Sequence, residues 1–342
     1  MRKRWLTLAA LAVVTVLLAS LVAVLRGGSA SAAHKTAFSA CLVTDIGGLN
    51  DHGFNHLAYL GLKEAEKQYG VTGTVLQSQS AQDYIPNFES CVRQNAGITI
   101  GIGFNMTDAM DKIASSFPND KFAIVDVDVT TMPHKPKNVE GLLFREQQAG
   151  YLVGYAAGMW TKMKGGTTVG TVGGQKIPPV DRYIAGFQYG AKKSDPGIKL
   201  LNSYSNDFVK QNICKEDALN EIAAGADVVF QVAGGCGLGA LDAAHEKGIF
   251  GIGVDADQGY LGPWVMTSAL KRVDVAVAGA IHAAKTNTLL HGKNKEYGAD
   301  INGVGYGKWS PKVPASIRNA VAKQYTLLKA GKIKGIPTTV KG

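Results

Sequence analysis

The chain has no Gly-Lys-Ser or Gly-Lys-Thr, no G-x-S-x-G and no H-E-x-x-H. These absences remove the phosphate-cradling P-loop, the nucleophile elbow of the α/β-hydrolases and the two-histidine zinc helix. The run Gly235-Cys236-Gly237-Leu238-Gly239 spaces its glycines as G-x-G-x-G, not as the G-x-G-x-x-G of a dinucleotide loop. Cysteine is scarce, at four residues in 342, and no two stand at the close spacing of a zinc site. His52 and His56 lie one helical turn apart without an evident third ligand, so exposed surface histidines are the simpler account and no metal is expected. Charged residues make up only 18%, and nucleic-acid binding would need a basic cluster that the sequence does not show. Of the net charge of +9, four units belong to Arg2, Lys3, Arg4 and Arg26 near the N-terminus; without them +5 remains, spread along the chain.

Hydrophobic residues are abundant, at 46%, enough to bury the core of one large or two medium domains. The chain opens with basic Met1-Arg2-Lys3-Arg4, continues as an apolar run from Trp5 to Leu25, and reaches the small-residue end Ala30-Ser31-Ala32. That order reads as a secretory signal cut near Ala32 or Ala33, with a retained membrane anchor as the alternative. Either reading puts the remainder outside the cytoplasm. A lipoprotein signal would place cysteine directly after the apolar run, and none stands there. Cys41 follows Phe38-Ser39-Ala40 but sits inside the first expected strand, where lipidation would cost the fold that strand.

Cys41, Cys91, Cys214 and Cys236 make an even set for an oxidising compartment. Three pairings are possible, and two cysteines in each half favour Cys41 with Cys91 and Cys214 with Cys236. Each is otherwise a small buried hydrophobe.

From Phe38 onward, short apolar β-branched runs alternate with segments of helical period, which predicts α/β with mainly parallel sheets. Strands are expected near 38–44, 72–77, 98–103, 121–126 and 139–144, with helices near 51–69, 86–95 and 106–117. In the first helix Phe54, Leu57, Ala58, Gly61, Leu62, Ala65 and Tyr69 recur at three- and four-residue steps, and Asn50 or Asp51 can cap it. After a Pro- and Lys-containing connection at 127–137 the alternation restarts: helices near 146–162, 180–193, 211–224 and 238–247, strands near 167–172, 198–204, 227–232 and 249–254. Two such series predict two lobes. A late strand at 264–270 and a helix at 273–290 are too little for a third domain, so the chain should cross back between lobes. The expected division is 34–142 plus about 267–305 for one lobe and 143–266 plus about 306–342 for the other.

Ligands of open parallel sheets sit beyond the carboxyl ends of the strands. Those ends carry Asp45, Asn50, Asp51, Phe54 and Asn55; Phe104-Asn105-Met106-Thr107-Asp108; Asp126 and Asp128; Gly234 to Gly239; and Asp255-Ala256-Asp257-Gln258. Singly, each has a plainer reading: an acid or amide after a strand caps a helix or forms a turn, Phe54 staples a helix start, and the glycines make a tight turn. Their meeting at five strand ends favours a site instead. Carboxylates accept hydrogen bonds from ligand hydroxyls and an aromatic suits a flat ring, so a neutral polyol or nucleoside fits better than a phosphate.

The segments Asp45-Ile46-Gly47-Gly48-Leu49-Asn50-Asp51-His52-Gly53-Phe54-Asn55, Gly101-Ile102-Gly103-Phe104, Phe122-Ala123-Ile124-Val125-Asp126, Ala233 to Gly239, Gly253 to Gln258 and Thr267 to Val273, in this order, resemble the basic membrane protein family. These are extracytoplasmic substrate-binding proteins of ABC transporters that include purine nucleoside receptors. The resemblance spans nearly all the chain after the signal and implies the type 1 periplasmic-binding fold. It implies Asp45 and Asp126 on the base edge, Phe54 and Phe230 sandwiching the ring, Asp255 or Asp257 with Lys271 on the ribose hydroxyls, and Asn55 and Gly234 lining the pocket. The sequence departs from the family pattern in lacking a lipobox cysteine, in His56 where glutamine is frequent, and in Cys236 where threonine or a small residue is common. The expectation is a monomeric, non-enzymatic receptor that needs no cofactor and delivers a nucleoside to a membrane permease. The alternatives are a receptor for another polyol such as a sugar, and a secreted nucleoside hydrolase working through Asp45 and Asp126.

Overall fold

The computed structural model describes residues 37–340; residues 1–33, read as signal or anchor, lie outside them. Five strands build the first sheet in sequence: β1 (Ser39–Thr44), β2 (Thr72–Gln77), β3 (Ile98–Ile102), β4 (Phe122–Val125) and β5 (Val139–Phe144). The second is built from β6 (Thr168–Gly173), β7 (Lys199–Leu200), β8 (Ser203–Tyr204), β9 (Val228–Val232), β10 (Phe250–Asp255) and β11 (Val265–Lys271). The chain then returns to the first sheet with β12 (Lys293–Tyr297) and to the second with β13 (Val304–Tyr306). Strand orders are β12-β5-β4-β3-β1-β2 and β13-β11-β10-β9-β6-β7, with β8 also on β6, and every pairing is parallel except β11 with β13.

Between the strands run α1 (Phe54–Tyr69), α2 (Tyr84–Arg93), α3 (Thr107–Ser116), α4 (Glu146–Met163), α5 (Pro178–Ser194), α6 (Gln211–Ala223), α7 (Gly237–Glu246), α8 (Val273–Lys285) and α9 (Ala315–Lys329). Helices cover both faces of each sheet, which is why β3, β4, β9 and β10 are buried at every residue. Of the two candidate caps for the first helix, Asp51 serves: its carboxylate accepts from the N–H groups of Gly53 (3.0 Å), Asn55 (2.7 Å) and His56 (3.1 Å). At its far end Gly70, at φ +60°, turns the chain away. Helices α4 and α5 approach closely because glycines face each other across the seam; a Cβ at Gly154 would lie 2.0 Å from the Phe187 carbonyl oxygen. That contact seats α5, and with it Val180 and Tyr183, against the second sheet.

Three corrections to the expected lobe division follow from the sheets. Leu143-Phe144, assigned from sequence to the second lobe, pair with Glu296-Tyr297 in the first sheet within β5. Residues 267–271 and Val304-Gly305, assigned from sequence to the first lobe, pair in the second sheet within β11 and β13. The crossings therefore fall at Arg145, at Arg272 and between β12 and β13, and they are tied together: Arg145 N–H donates to Tyr297 O (3.1 Å) and Arg272 N–H to Gly303 O (2.9 Å). The expected strand at 198–204 is interrupted at Leu201-Asn202, giving the short β7 and β8. The helix expected to run to 290 ends at Lys285, where its last carbonyls are met by Thr286 and Thr288.

Disulfides join Cys41 to Cys91 and Cys214 to Cys236. The first ties β1 to α2; the second ties α6 to the loop that follows β9.

Candidate functional site

The carboxyl ends of the strands of both sheets converge on one cleft with about 630 Å³ of atom-free space, including its open mouth. That volume falls in the roughly 300–1,000 Å³ range of small-molecule sites. The first sheet contributes Asp45, Asp51, Phe54, Asn55, Phe104, Asn105 and Asp126; the second contributes Tyr183, Phe208, Gly234, Asp255 and Lys271. The structure thus brings together seven of the nine residues singled out in the sequence: Asp45, Phe54, Asn55, Asp126, Gly234, Asp255 and Lys271.

The other two stand elsewhere. Phe230 is fully buried in the middle of β9, stacked on Phe187 at 5.2 Å between ring centroids. A strand buried on both faces offers no sequence signal for which side chain reaches a cleft. Two aromatics line the cleft from the second lobe: Tyr183 on α5, whose hydroxyl is taken up by Asp255, and Phe208, on the irregular segment after β8. The rule that selects residues beyond strand ends reaches this segment too, since it follows the strand expected at 198–204. The Phe208 carbonyl accepts from Cys236 N–H (3.0 Å), and Asp207 ties the turn by accepting from Val209 and Lys210 N–H (2.7 and 2.8 Å). Gly234 adopts φ +54°, which brings the loop under Phe208; a Cβ there would stand 3.4 Å from the Phe208 oxygen.

Asp257 turns away because the two lobes repeat one device. After β4 comes Asp126-Val127-Asp128; β10 ends on Asp255 and is followed by Ala256-Asp257. In each, the first aspartate is left-handed, at φ +71° for Asp126 and +61° for Asp255, and lines the cleft. The second caps a 3₁₀ turn, Asp128 accepting from Thr130 N–H and Asp257 from Gly259 N–H. A non-glycine residue in this conformation costs roughly 1 kcal/mol and such strain gathers at functional sites.

A buried ionic cluster joins the lobes. Lys271 Nζ lies 2.6 Å from Asp126 Oδ1 and 3.0 Å from Glu146 Oε1, and Arg182 approaches Glu146 from outside at 3.6 Å. The ammonium also stands 5.1 Å from the Phe54 ring centre and 4.9 Å from that of Phe144. Burial opposes its charge, but Asp126, Glu146 and Asp255 outweigh that and raise its pKa. Burial pushes Asp255 up to about 7, eased by Lys271 and reinforced by Asp126; its Oδ1 accepts from the Tyr183 hydroxyl at 3.1 Å. Burial likewise lifts Asp45 to about 6 against hydrogen bonds from Asn55 Nδ2 (2.8 Å) and Gly47 N–H (2.9 Å). Asn55 also donates to Asp51 (3.1 Å), which leaves its buried Oδ1 without a partner among the described residues. At the rim the lobes touch directly, Asn105 Nδ2 donating to Gln175 Oε1 at 2.8 Å.

Two parallel-sheet lobes linked by three crossings, with strand-end residues of both facing one cleft, define a solute-binding protein of the type 1 periplasmic class. Residues 38–336 match the family described as ABC transporter substrate-binding protein PnrA-like, and the chain belongs to that family. It is 33% identical to a CD4+ T-cell-stimulating antigen of Listeria monocytogenes over 87% of each chain. It is 32% identical to the ABC transporter nucleoside-binding protein BmpA of Lactococcus lactis, over 97% of this chain and 99% of the relative. In fold it is similar to an ABC transporter solute-binding protein of Aeropyrum pernix, with a TM-score of 0.78 at 24% identity, covering 88% of this chain and 94% of that one.

Proposed function

We propose that this substrate-binding protein captures a nucleoside, of purine type, between its lobes outside the cytoplasm and presents it to an ABC-transporter permease. The observation that carries the reading is the pairing of Phe54 from the first lobe with Phe208 from the second as aromatic walls of one cleft rimmed by hydrogen-bonding acids. In this assignment the two rings hold the base, while Asp45, Asp126 and the unpartnered Asn55 Oδ1 take its hydrogen-bond donors. Asp255 with Lys271 then takes the ribose hydroxyls.

Four aspartates, Asp45, Asp51, Asp126 and Asp255, line the cleft against Lys271, whose ammonium already contacts Asp126 and Glu146. A phosphate would meet net negative charge without a free cation, so the cleft disfavours nucleotides. The nucleoside-binding name of the Lactococcus relative points the same way. Capture works by closure: a ligand touching both lobes favours the closed state by its extra contacts there.

Calorimetry with a panel of nucleosides, nucleotides and sugars, followed by chromatography of each mixture, tests this. Nucleosides bind and are recovered intact, while the matching monophosphates bind at least about tenfold more weakly. Binding of sugars alone, or free base in the mixtures, overturns the reading.

A further inference from the structure

One amide in the cleft wall is held in a single orientation. Asn55 Nδ2 donates to Asp45 Oδ1 (2.8 Å) and to Asp51 Oδ2 (3.1 Å), and the Asn55 N–H donates to the same Asp51 oxygen (2.7 Å). Carboxylates only accept, so the NH2 end of the amide has to face them and its oxygen has to face away. That oxygen is buried and without a partner among the described residues, and Asn55 lines the cleft. Glycines leave room for the arrangement: a Cβ at Gly47 would stand 2.8 Å from Asn55 Nδ2, and one at Gly103, at φ +122°, 3.0 Å from Asp45 Oδ2. Asp45 Oδ1 is taken by Asn55 and by the Gly47 N–H (2.9 Å), which leaves Oδ2 for a ligand.

The side-chain donors of the cleft are engaged elsewhere. Lys271 serves Asp126 (2.6 Å) and Glu146 (3.0 Å), the Tyr183 hydroxyl donates to Asp255 (3.1 Å), and Asn105 Nδ2 donates to Gln175 (2.8 Å). A base edge seated against Asp45 and Asn55 therefore meets two neighbouring acceptors. An acceptor on the ligand facing either of them leaves both unpaired, which is costly in a buried site. Purines differ in this respect. Guanine carries N1–H and N2–H side by side and hypoxanthine only N1–H, whereas adenine sets its one amino group between two ring acceptors, N1 and N7.

On the reading that the ligand is a nucleoside, we infer that Asp51, together with Asp45, is a positioning residue that locks Asn55 as a fixed acceptor, so that the cleft selects a 2-amino-6-oxopurine nucleoside over a 6-aminopurine one. Asp51 is itself fixed, because its Oδ1 accepts from the N–H groups of Gly53 (3.0 Å) and His56 (3.1 Å). The residue that caps α1 thus also sets the polarity of the wall.

The test is calorimetry with guanosine, inosine and adenosine at pH 8, where Asp45, with its pKa of about 6, is ionised. Guanosine is expected to bind at least about tenfold more tightly than adenosine, with inosine between them. In Asp51→Asn an amide hydrogen replaces an acceptor and Asn55 is free to turn, so the ratio of guanosine to adenosine affinity should narrow several-fold. Adenosine bound as tightly as guanosine by the unsubstituted chain, or both weakened by one common factor in Asp51→Asn, overturns the inference. In the ligand-free protein the side-chain NH2 protons of Asn55, followed by NMR, should exchange with solvent at least about tenfold more slowly than those of the exposed Asn119. Exchange as fast as that of Asn119 would place the NH2 end in the open cleft and overturns it as well. Binding of none of the three nucleosides removes the nucleoside reading and the selectivity named here, while the exchange rates still decide whether Asn55 is locked. Should Asp51→Asn not melt cooperatively, the affinity order and the exchange rates of the unsubstituted chain decide.

Discussion

Lys271, the last residue of β11, places its ammonium 2.6 Å from Oδ1 of Asp126, the first residue past β4, so a buried ion pair spans the two lobes. Both side chains are buried, at 2% and 5% exposure, and Glu146 leans on the same nitrogen at 3.0 Å. Breaking a buried pair strands a charge, which costs about 3–5 kcal/mol. Lys271→Met is therefore expected to lower unfolding free energy by about that much in urea melts. Lys271→Met/Asp126→Asn should cost less than the sum of the two single changes, whereas simple additivity would show that the pair is not coupled.

Phe208 and Phe230 separate binding from packing. Phe208→Ala is expected to weaken nucleoside binding by about 1–3 kcal/mol in calorimetry with a near-normal melting temperature. Phe230→Ala removes a fully buried ring stacked on Phe187 and should lower stability by about 3–5 kcal/mol. The reverse pattern would return the ring-facing role to Phe230.

Stability of the ligand-free protein should rise as pH falls from about 8 toward 5. Burial raises Asp45 to about 6, Asp255 to about 7 and Glu221 to about 8, all above their unfolded values. In that window the folded state binds more protons than the unfolded one, so the contribution is complete below the unfolded pKa and lost as pH rises through the folded pKa. Thermal melts across this range check it: Asp255→Asn and Glu221→Gln should each flatten the slope, and an unchanged slope in both would remove burial as its cause.

The disulfides close sequence separations of 22 and 50 residues, for which chain-entropy reasoning gives about 3 and about 4 kcal/mol. Cys41→Ser/Cys91→Ser should cost mainly stability. Cys214→Ser/Cys236→Ser loosens the loop carrying Gly234 and the Cys236 N–H that holds Phe208, so it should also speed nucleoside release in stopped-flow measurements. Equal release rates in the two double variants would show that the second bridge does not brace the cleft.

Much of this arrangement is legible from local signals. The first helix announces itself by its apolar spacing and by Asp51 beside Gly53, and α5 by Pro178-Pro179 at its start. Asp45, Asp126 and Asp255 stand directly after apolar runs, where parallel sheets keep their ligands. Lys271 is different: its cleft role came from family resemblance, because a lysine closing an apolar run has no local mark of burial beside a carboxylate 145 positions away. Phe208 sits in a stretch without periodicity, and its neighbours Asn206 and Asp207 mark only a turn.

Sequence by itself settled the alternation of strands and helices and which chain segments end at the cleft edge, because backbone periodicity, caps and breakers act within a few residues. Tertiary structure alone shows that Phe208 and not Phe230, and Asp255 and not Asp257, lines the cleft. Those choices depend on the turn each backbone takes at +61° or −74° and on which buried face a strand presents. They also depend on contacts such as Lys271 with Asp126 that cross 145 residues, distances over which no local pattern in the chain is correlated.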